Sequence, residues 1–189
     1  MNKNEVIGAV IRATRNEPII FTTGFSCRIG RSIADRANHF YMTGSMGLAA
    51  DIGIGVALHS RLPVVVVDGD GSLAMNPSCL LTAGALPDLP LLHLLLDDRS
   101  YESTGGQNVP SGHVDFCALA QAAGYSKVEY VDNVGDFGEA FTSGLTCSAP
   151  VFVQCALTSP RTTTPPPRIE MGLDEVRRRF SGHLRQVVR

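Results

Sequence analysis

Two apolar runs in the middle of the chain, each ending in carboxylates, constrain its fold more than any other feature. The first covers residues 64–67 and leads into Asp68-Gly69-Asp70-Gly71-Ser72; the second covers residues 94–96 and leads into Asp97-Asp98-Arg99-Ser100. Such runs are typical of parallel strands that are buried on both faces of a sheet. Open α/β sheets bind their ligands at the carboxyl ends of the strands. The two strand ends, which carry Asp70 and Asp98, therefore predict a binding site.

Strand-like and helix-like segments alternate along most of the chain. Strands are predicted at 19–23, 39–42, 63–67, 91–96, 125–131 and 150–156. Helices are predicted before Pro18, at 28–37, from about 47 to 58, after Ser72, and at 113–123 and 136–145, with a long loop over 97–111. Because this alternation is typical of βαβ crossovers, we predict a three-layer α/β/α sandwich with a mostly parallel sheet.

The last thirty residues differ in composition from this alternating part. Residues 159–167 are rich in proline and threonine, which excludes a helix and favours an extended arm. A basic helix is predicted over 173–188, with an apolar stripe formed by Val176, Phe180, Leu184 and Val187. We therefore divide the chain into a domain at 1–158 and an arm with a helix at 159–189. The pattern leaves open whether this second part is a disordered tail or docks on the domain.

Composition limits the classes of partner and the compartment. The chain has 189 residues and a formal net charge of −2, which gives no electrostatic reason to expect nucleic acid or an anionic membrane as a partner. Its five cysteines form no CxxC pair, so reduced thiols and a cytoplasmic location are expected. No residue lies in the sequence context of a serine-hydrolase nucleophile, which disfavours that chemistry.

The segment from Gly69 to Ala74 fits the dinucleotide pattern GxGxxA, but Asp70 lies inside it. Two like charges about 4 Å apart repel by about 1–4 kcal/mol, so a carboxylate beside a bare pyrophosphate is unfavourable. A metal ion between the carboxylate and the phosphate would convert this repulsion into coordination. The pattern therefore favours a diphosphate bound through a hard divalent cation over a nicotinamide dinucleotide.

Three blocks of sequence, in this order, carry a family resemblance. They are Phe40 to Ala49 (FYMTGSMGLA), Asp68 to Leu73 (DGDGSL) and Ser100 to Gln107 (SYESTGGQ), with Asp98 falling 28 residues after Asp70. Together they resemble the diphosphate-binding (PP) domain of thiamine-diphosphate-dependent 2-oxo acid decarboxylases. The third block is similar to the branch that acts on sulfopyruvate and phosphonopyruvate.

The resemblance implies roles for individual residues. Asp70, Asp98 and the backbone carbonyl of Ser100 would hold Mg²⁺. The residues that would contact thiamine diphosphate are Thr23, Gly24, Gly44, Ser45, Met46, Gly69, Gly71, Ser72 and Tyr101. Among them, Gly71 and Ser72 match positions that contact the diphosphate. The carbonyl of Gly44 would meet the aminopyrimidine, and Met46 would support the bent shape of the cofactor.

The chain departs from the family pattern at one point, because the family has asparagine where Asp98 stands. This extra charge near a diphosphate leaves open a degenerate, non-catalytic homologue. The expected substrate contacts are Ser103, Thr104, Gln107 and His113, and Glu102 is either a surface charge or a site residue. None of these residues is expected to be catalytic.

The resemblance also implies a partner. In the family a glutamate on a pyrimidine-binding (PYR) domain activates the cofactor, whereas Glu5 and Glu17 of this chain only flank its first helix. A separate α subunit is therefore expected, in an α₂β₂ or larger assembly, that decarboxylates a small anionic 2-oxo acid without oxidation. Two alternatives stay open: a subunit of an acetolactate- or acyloin-forming enzyme, and a nonenzymatic regulatory subunit that keeps the fold.

Overall fold

A computed structural model describes residues 1–158 and 164–188. Its main sheet has six strands, all parallel, in the order β2-β1-β3-β4-β8-β7. The strands are β1 (Ile19–Phe21), β2 (His39–Tyr41), β3 (Val64–Gly69), β4 (Leu91–Asp97), β7 (Lys127–Val131) and β8 (Val151–Ala156). A separate antiparallel pair consists of β5 (Ser100–Tyr101) and β6 (Gln107–Asn108). The predicted α/β fold with a mostly parallel sheet is confirmed.

Helices connect the strands and cover both faces of the sheet. They are α1 (Lys3–Ala13), α2 (Phe25–Ile33), α3 (Ala49–Ala57), α4 (Asp70–Met75), α5 (Ser78–Gly84), α6 (Phe116–Ala123), α7 (Val134–Leu145) and α8 (Leu173–Val187), with a 3₁₀ turn at Pro110–His113. Asn2 begins α1 with a capping box, since its side chain accepts the Glu5 N–H and the Glu5 carboxylate accepts the Asn2 N–H.

The central strands are mostly apolar because both of their faces are buried. Val65 and Val67 face the core beneath α1, α2 and α7. Val64 and Val66, which alternate with them, face the core beneath α3, α5 and α6. These four valines have no solvent exposure. The continuous apolar run in the sequence is therefore the result of a sheet between two helical layers.

The pairing of β3 with β4 places the two acidic strand ends side by side. Val64 is opposite Leu91, and Gly69 is opposite Leu96 at the other end of the ladder. Asp70 and Asp98 therefore leave the sheet at the same edge. This is the arrangement that the sequence predicted from the two runs.

Several boundaries differ from those predicted. The segment 97–111 is not an irregular loop, because it contains β5, β6 and the first half of the 3₁₀ turn. The helix expected after Ser72 begins earlier, at Asp70, and is interrupted before Ser78, where Pro77 precedes α5. The helix expected from residue 113 begins at Phe116, because the side chain of Asp115 caps it by accepting the Ala118 N–H.

The C-terminal helix docks on the domain. Val176 and Phe180 of α8 are buried, and the Phe180 ring lies 5.2 Å from that of Phe40 in β2. Arg179 donates two hydrogen bonds to Asp35, at 3.1 and 3.0 Å. The sequence left open whether this region is a disordered tail or docks on the domain. The helix α8 docks. The predicted extended arm begins in residues 159–163, which lie outside the described part of the chain, and the division at residue 158 stays a prediction.

Among residues 1–158 and 164–188, no helix has the length and apolar character needed to span a membrane.

Candidate cofactor-binding site

A pocket lies at the carboxyl edge of the sheet, where β1, β3 and β4 end and the β5–β6 hairpin begins. Its lining residues are Lys3, Thr22, Thr23, Phe25, Ser26, Met46, Gly69, Asp70, Gly71, Ser72, Leu96, Asp98, Ser100, Tyr101, Glu102 and Ser103. All three predicted metal-binding positions are among them, as are six of the nine predicted cofactor contacts. The topology thus brings together segments that lie far apart in the sequence.

Asp70 is the most buried carboxylate of this pocket, with 2% of its surface exposed. Its Oδ2 accepts a hydrogen bond from the Ser111 hydroxyl at 2.7 Å, a contact that sequence reasoning missed. Burial raises the pKa of Asp70 to about 7, and the negative charges of Asp98 and Asp97 act in the same direction, against the Ser111 hydrogen bond. The protein surroundings therefore disfavour the ionised form of Asp70, which a bound cation would stabilise.

The two aspartates at the end of β4 face different surroundings. Asp97 is buried, and its Oδ2 accepts a hydrogen bond from the Gln154 side chain at 2.8 Å. Asp98 lines the pocket, where the Lys3 ammonium lies 2.5 Å from its Oδ2. Neighbouring residues of an extended chain point in opposite directions, which separates the two carboxylates. The second residue of the pair is thus the one that lines the pocket, and its role as a metal ligand stays a prediction.

Ser72 has a hydroxyl that already holds the site together. Its Oγ accepts hydrogen bonds from the Thr22 hydroxyl at 3.0 Å and from the Gly47 N–H at 3.1 Å. A serine hydroxyl has one hydrogen, so Ser72 still has a donor for a diphosphate oxygen. The same hydroxyl ties the loop after β2 to the end of β3.

The loop after β2 reaches the pocket rim through contacts with β1. The Gly44 N–H donates to the Thr23 hydroxyl at 3.1 Å. Gly44 and Ser45 are exposed and have positive φ angles of 85° and 51°, so the chain turns sharply just before Met46. Met46 lines the pocket, whereas Gly44, Ser45 and Gly24 lie outside its lining.

Gly71 and Tyr101 make the closest approach between the strand ends and the hairpin. A β-carbon at Gly71 would lie 2.4 Å from Cε1 of Tyr101, which is closer than any side chain tolerates. An alanine at this position would therefore have to displace the Tyr101 ring. Similarly, a β-carbon at Gly24 would lie 3.0 Å from the Ser103 hydroxyl.

The predicted substrate residues are only partly brought together. Ser103 lines the pocket, but Thr104, Gln107 and His113 are exposed and lie outside its lining. The Thr104 hydroxyl donates to Oε1 of Gln107 at 3.1 Å, so these two side chains contact each other across the hairpin turn. The role of all four residues stays a prediction.

Lys3 lines the pocket and, like Ser111, was overlooked by the sequence analysis. Its ammonium pairs with Asp98 and also with Glu102, whose Oε2 is 2.9 Å away. The only sequence signal was a lysine at the start of the first helix, and its distant partners could not be deduced from that.

The residues present fit a divalent cation with a diphosphate. Asp70 and Asp98 offer carboxylate oxygens, and the buried Ser100 hydroxyl has no hydrogen-bond partner among the described residues. Within the described ranges, no three His, Cys, Asp or Glu side chains are grouped as a metal site. Two carboxylates and one carbonyl would hold Mg²⁺ only with further oxygens, which a diphosphate can supply.

Comparison with known proteins decides the family. The model of the family described as "Thiamine pyrophosphate enzyme, C-terminal TPP binding domain" matches residues 23–155, which is more than half of the chain. This chain belongs to the thiamine pyrophosphate enzymes. The match extends from the end of β1 to β8 and so includes the main residues of the pocket. It confirms the resemblance stated from the three sequence blocks.

Individual relatives of this thiamine pyrophosphate enzyme domain fall into two groups by length. This chain is 44% identical over 143 residues to phosphonopyruvate decarboxylase from Streptomyces viridochromogenes. The match covers 76% of this chain but only 36% of that protein. This chain is 34% identical over 185 residues to sulfopyruvate decarboxylase subunit beta from Methanothermobacter thermautotrophicus, which covers 98% and 96% of the two chains.

Solved structures support the fold. The thiamine diphosphate-dependent 4-hydroxybenzoylformate decarboxylase of Rhodococcus jostii RHA1 superposes with a TM-score of 0.72 over 86% of this chain and 33% of that one. At 20% identity this likeness concerns the fold alone.

Proposed function

We propose that this chain is the diphosphate-binding (β) subunit of a two-component thiamine-diphosphate-dependent decarboxylase. Its substrate would be an anionic three-carbon 2-oxo acid of the phosphonopyruvate or sulfopyruvate type, which loses CO₂ without oxidation. The observation that carries the proposal is the match over 98% of this chain to a relative named as a beta subunit. The higher identity to a phosphonopyruvate decarboxylase keeps the phosphonate as an equal candidate.

In this proposal Asp70, Asp98 and the Ser100 carbonyl hold Mg²⁺, while Gly71 and Ser72 contact the diphosphate. When bound, thiamine diphosphate supplies the carbanion chemistry of decarboxylation. The protein residues bind and orient it: a bound cation would stabilise the ionised form of Asp70, and the Ser72 hydroxyl is fixed by Thr22 and Gly47. Met46, on the pocket rim, would support the bent cofactor.

The hairpin between β5 and β6 would receive the substrate. It begins three residues after Asp97, directly beside the metal-binding positions. The Ser103 hydroxyl and the Gln107 amide provide donors that suit a phosphonate or sulfonate group, and the Thr104 hydroxyl, which donates to Oε1 of Gln107, would orient that amide. His113, exposed at the end of the 3₁₀ turn, would act from the outer side of the same edge.

A second chain would complete the site. Glu5 of this chain is engaged in the cap of α1, and Glu17 accepts the backbone N–H groups of Arg15 and Asn16. Activation of the cofactor is therefore assigned to a glutamate on a PYR α subunit, in an α₂β₂ or larger assembly. Exclusion of water from the site would also depend on that interface.

The test is to assay the purified chain alone, and again after co-purification with a candidate PYR subunit, with Mg²⁺ and thiamine diphosphate supplied. We expect aldehyde formation from phosphonopyruvate or sulfopyruvate only by the two-chain complex, with pyruvate as the control substrate. Turnover by the single chain would contradict the two-component proposal. Acetolactate formed from pyruvate would favour the carboligase alternative, and bound cofactor with no turnover would favour the regulatory one.

A further inference from the structure

The pocket contains one cation and three carboxylates. Lys3 is the only Lys, Arg or His among its described lining residues, whereas Asp70, Asp98 and Glu102 are all there. The side chains of the ion-paired residues are largely shielded from water, with 13% of Lys3, 17% of Asp98 and 7% of Glu102 exposed. Such pairs are screened by salt much less than surface pairs.

Lys3 is held in this position by local structure that does not itself favour a lysine. The capping box of Asn2 and Glu5 makes Lys3 the first residue of α1. A positive charge there opposes the helix dipole, which favours acidic residues in the first turn. Met1 is fixed as well, because its carbonyl accepts the Thr158 N–H at 3.1 Å, beyond the end of β8. The gain from a lysine at this position must therefore come from the pocket.

The net charge of the pocket shows how a lysine at this position favours a bound diphosphate. With all groups ionised, the three carboxylates and Lys3 give the pocket a net charge of −2, and a divalent cation brings it to zero. Without Lys3 the same cation would leave the pocket at −1, and a diphosphate would bind against a negative charge.

We propose that Lys3 is a positioning residue that neutralises Asp98 and holds Glu102, so that a pocket with three carboxylates accepts a metal-bound diphosphate. The inference rests on the proposed function and deepens it. Lys3 also connects two parts of the site, since Asp98 follows β4 and Glu102 belongs to the hairpin that carries the predicted substrate residues. It thus fixes the distance between the metal end and the substrate end of the pocket.

The experiment measures the Kd of thiamine diphosphate by calorimetry at saturating Mg²⁺, on the full chain alone and in complex with the PYR subunit. Lys3→Met is expected to weaken binding about 10-fold, which corresponds to about 1.4 kcal/mol. Lys3→Arg should retain most of the affinity because it keeps the charge. The double variant Lys3→Met/Asp98→Asn should return to within about 3-fold of wild type, since one negative charge leaves with the positive one.

The chain offers a matched control, because its only other lysine is Lys127. Lys127 begins β7, at the end of the sheet opposite to the pocket, and pairs with Glu129 at 2.5 Å. Lys127→Met removes the same charge from a more exposed ion pair, in which 42% of the Lys127 side chain is exposed, and should leave the Kd unchanged. Circular dichroism melting of every variant separates loss of folding from loss of affinity.

An unchanged Kd in Lys3→Met would overturn the inference and leave the proposed function intact. A double variant as weak as Lys3→Met would also overturn it, because Lys3 would then contact the ligand itself instead of neutralising Asp98. If the wild-type chain binds no thiamine diphosphate in either form, the proposed function fails and the inference fails with it. A role limited to anchoring α1 would lower the melting temperature without changing the Kd, and this too would contradict the inference.

Discussion

The two sides of the pocket are built in different ways. On the strand-end side, Asp70 and Ser72 are almost fully buried and are fixed by hydrogen bonds to Ser111, Thr22 and Gly47. On the hairpin side, the two strands contribute only two residues each, and the side chains at the turn are exposed. The difference indicates a division of labour: a preorganised side suits an invariant cofactor, and an exposed side suits the selection of a substrate.

The largest expected effect is on the strand-end side. Asp70→Ala should weaken thiamine diphosphate binding by at least about 100-fold, because it removes an oxygen that binds the metal directly. Mutation of residues that only support metal ligands already lowers metal affinity by about 10–100-fold. Calorimetry on the full chain with Mg²⁺ measures it. Asp98→Asn is the matched control and should be mild or improve affinity, since Lys3 keeps Glu102 as a partner. Equal damage in both variants would show that the roles are assigned wrongly.

When no metal is bound, ionisation of Asp70 should lower the free energy of unfolding. In the folded state the pKa of Asp70 is raised to about 7, above its value of 3.8 in the unfolded chain. Between pH 3.8 and about 7 the folded state therefore holds a proton that the unfolded chain has lost. Stability should therefore decline as the pH rises from about 4 to about 7. Asp70→Asn should be more stable than wild type by on the order of 2 kcal/mol at pH 8 without Mg²⁺, and equal to it at pH 4. Urea unfolding at both pH values measures this, and parallel curves for the two proteins would contradict it.

The contact between the two sides can be disturbed by one methyl group. Gly71→Ala should push the Tyr101 ring away and shift the hairpin. Because overpacking typically costs about 1–3 kcal/mol, we expect cofactor affinity to fall by about 10-fold. Because Tyr101 is itself a predicted cofactor contact, the comparison is with Tyr101→Ala alone: in that background Gly71→Ala should cause little further loss. Gly55→Ala is the control, because its β-carbon meets no atom within 4 Å in an exposed part of α3. If Gly71→Ala causes the same loss in the Tyr101→Ala background, the ring is not the cause.

The smallest effect, and the most selective, is expected on the hairpin side. Thr104→Val and Gln107→Ala should lower kcat/KM for the anionic 2-oxo acid by about 3- to 10-fold, as expected for one lost hydrogen bond. The affinity for thiamine diphosphate should stay close to wild type in both variants. Steady-state kinetics and calorimetry separate the two effects. A similar loss of cofactor affinity would show that the hairpin supports the diphosphate site, and the contrast between the two sides would disappear.

Much of the fold followed from local patterns. Apolar runs between helical segments predicted most of the parallel strands, because a strand buried on both faces has few polar positions. The predicted helix boundaries were less accurate than the predicted strands. The helix α4 begins directly at the end of β3, and α6 begins after its capping residue Asp115. The hairpin was missed because two-residue strands leave no periodicity to detect.

For the site, the sequence alone predicted that Asp70 and Asp98 lie at one edge of the sheet, because strand ends of a parallel sheet meet there. Only the tertiary structure decided which groups surround them. Ser111 reaches Asp70 from 41 residues away, and Lys3 reaches Asp98 from 95 residues away. Periodicity fixes which face of its own element a side chain occupies, but a contact between distant elements depends on how the layers pack, and no local pattern encodes that.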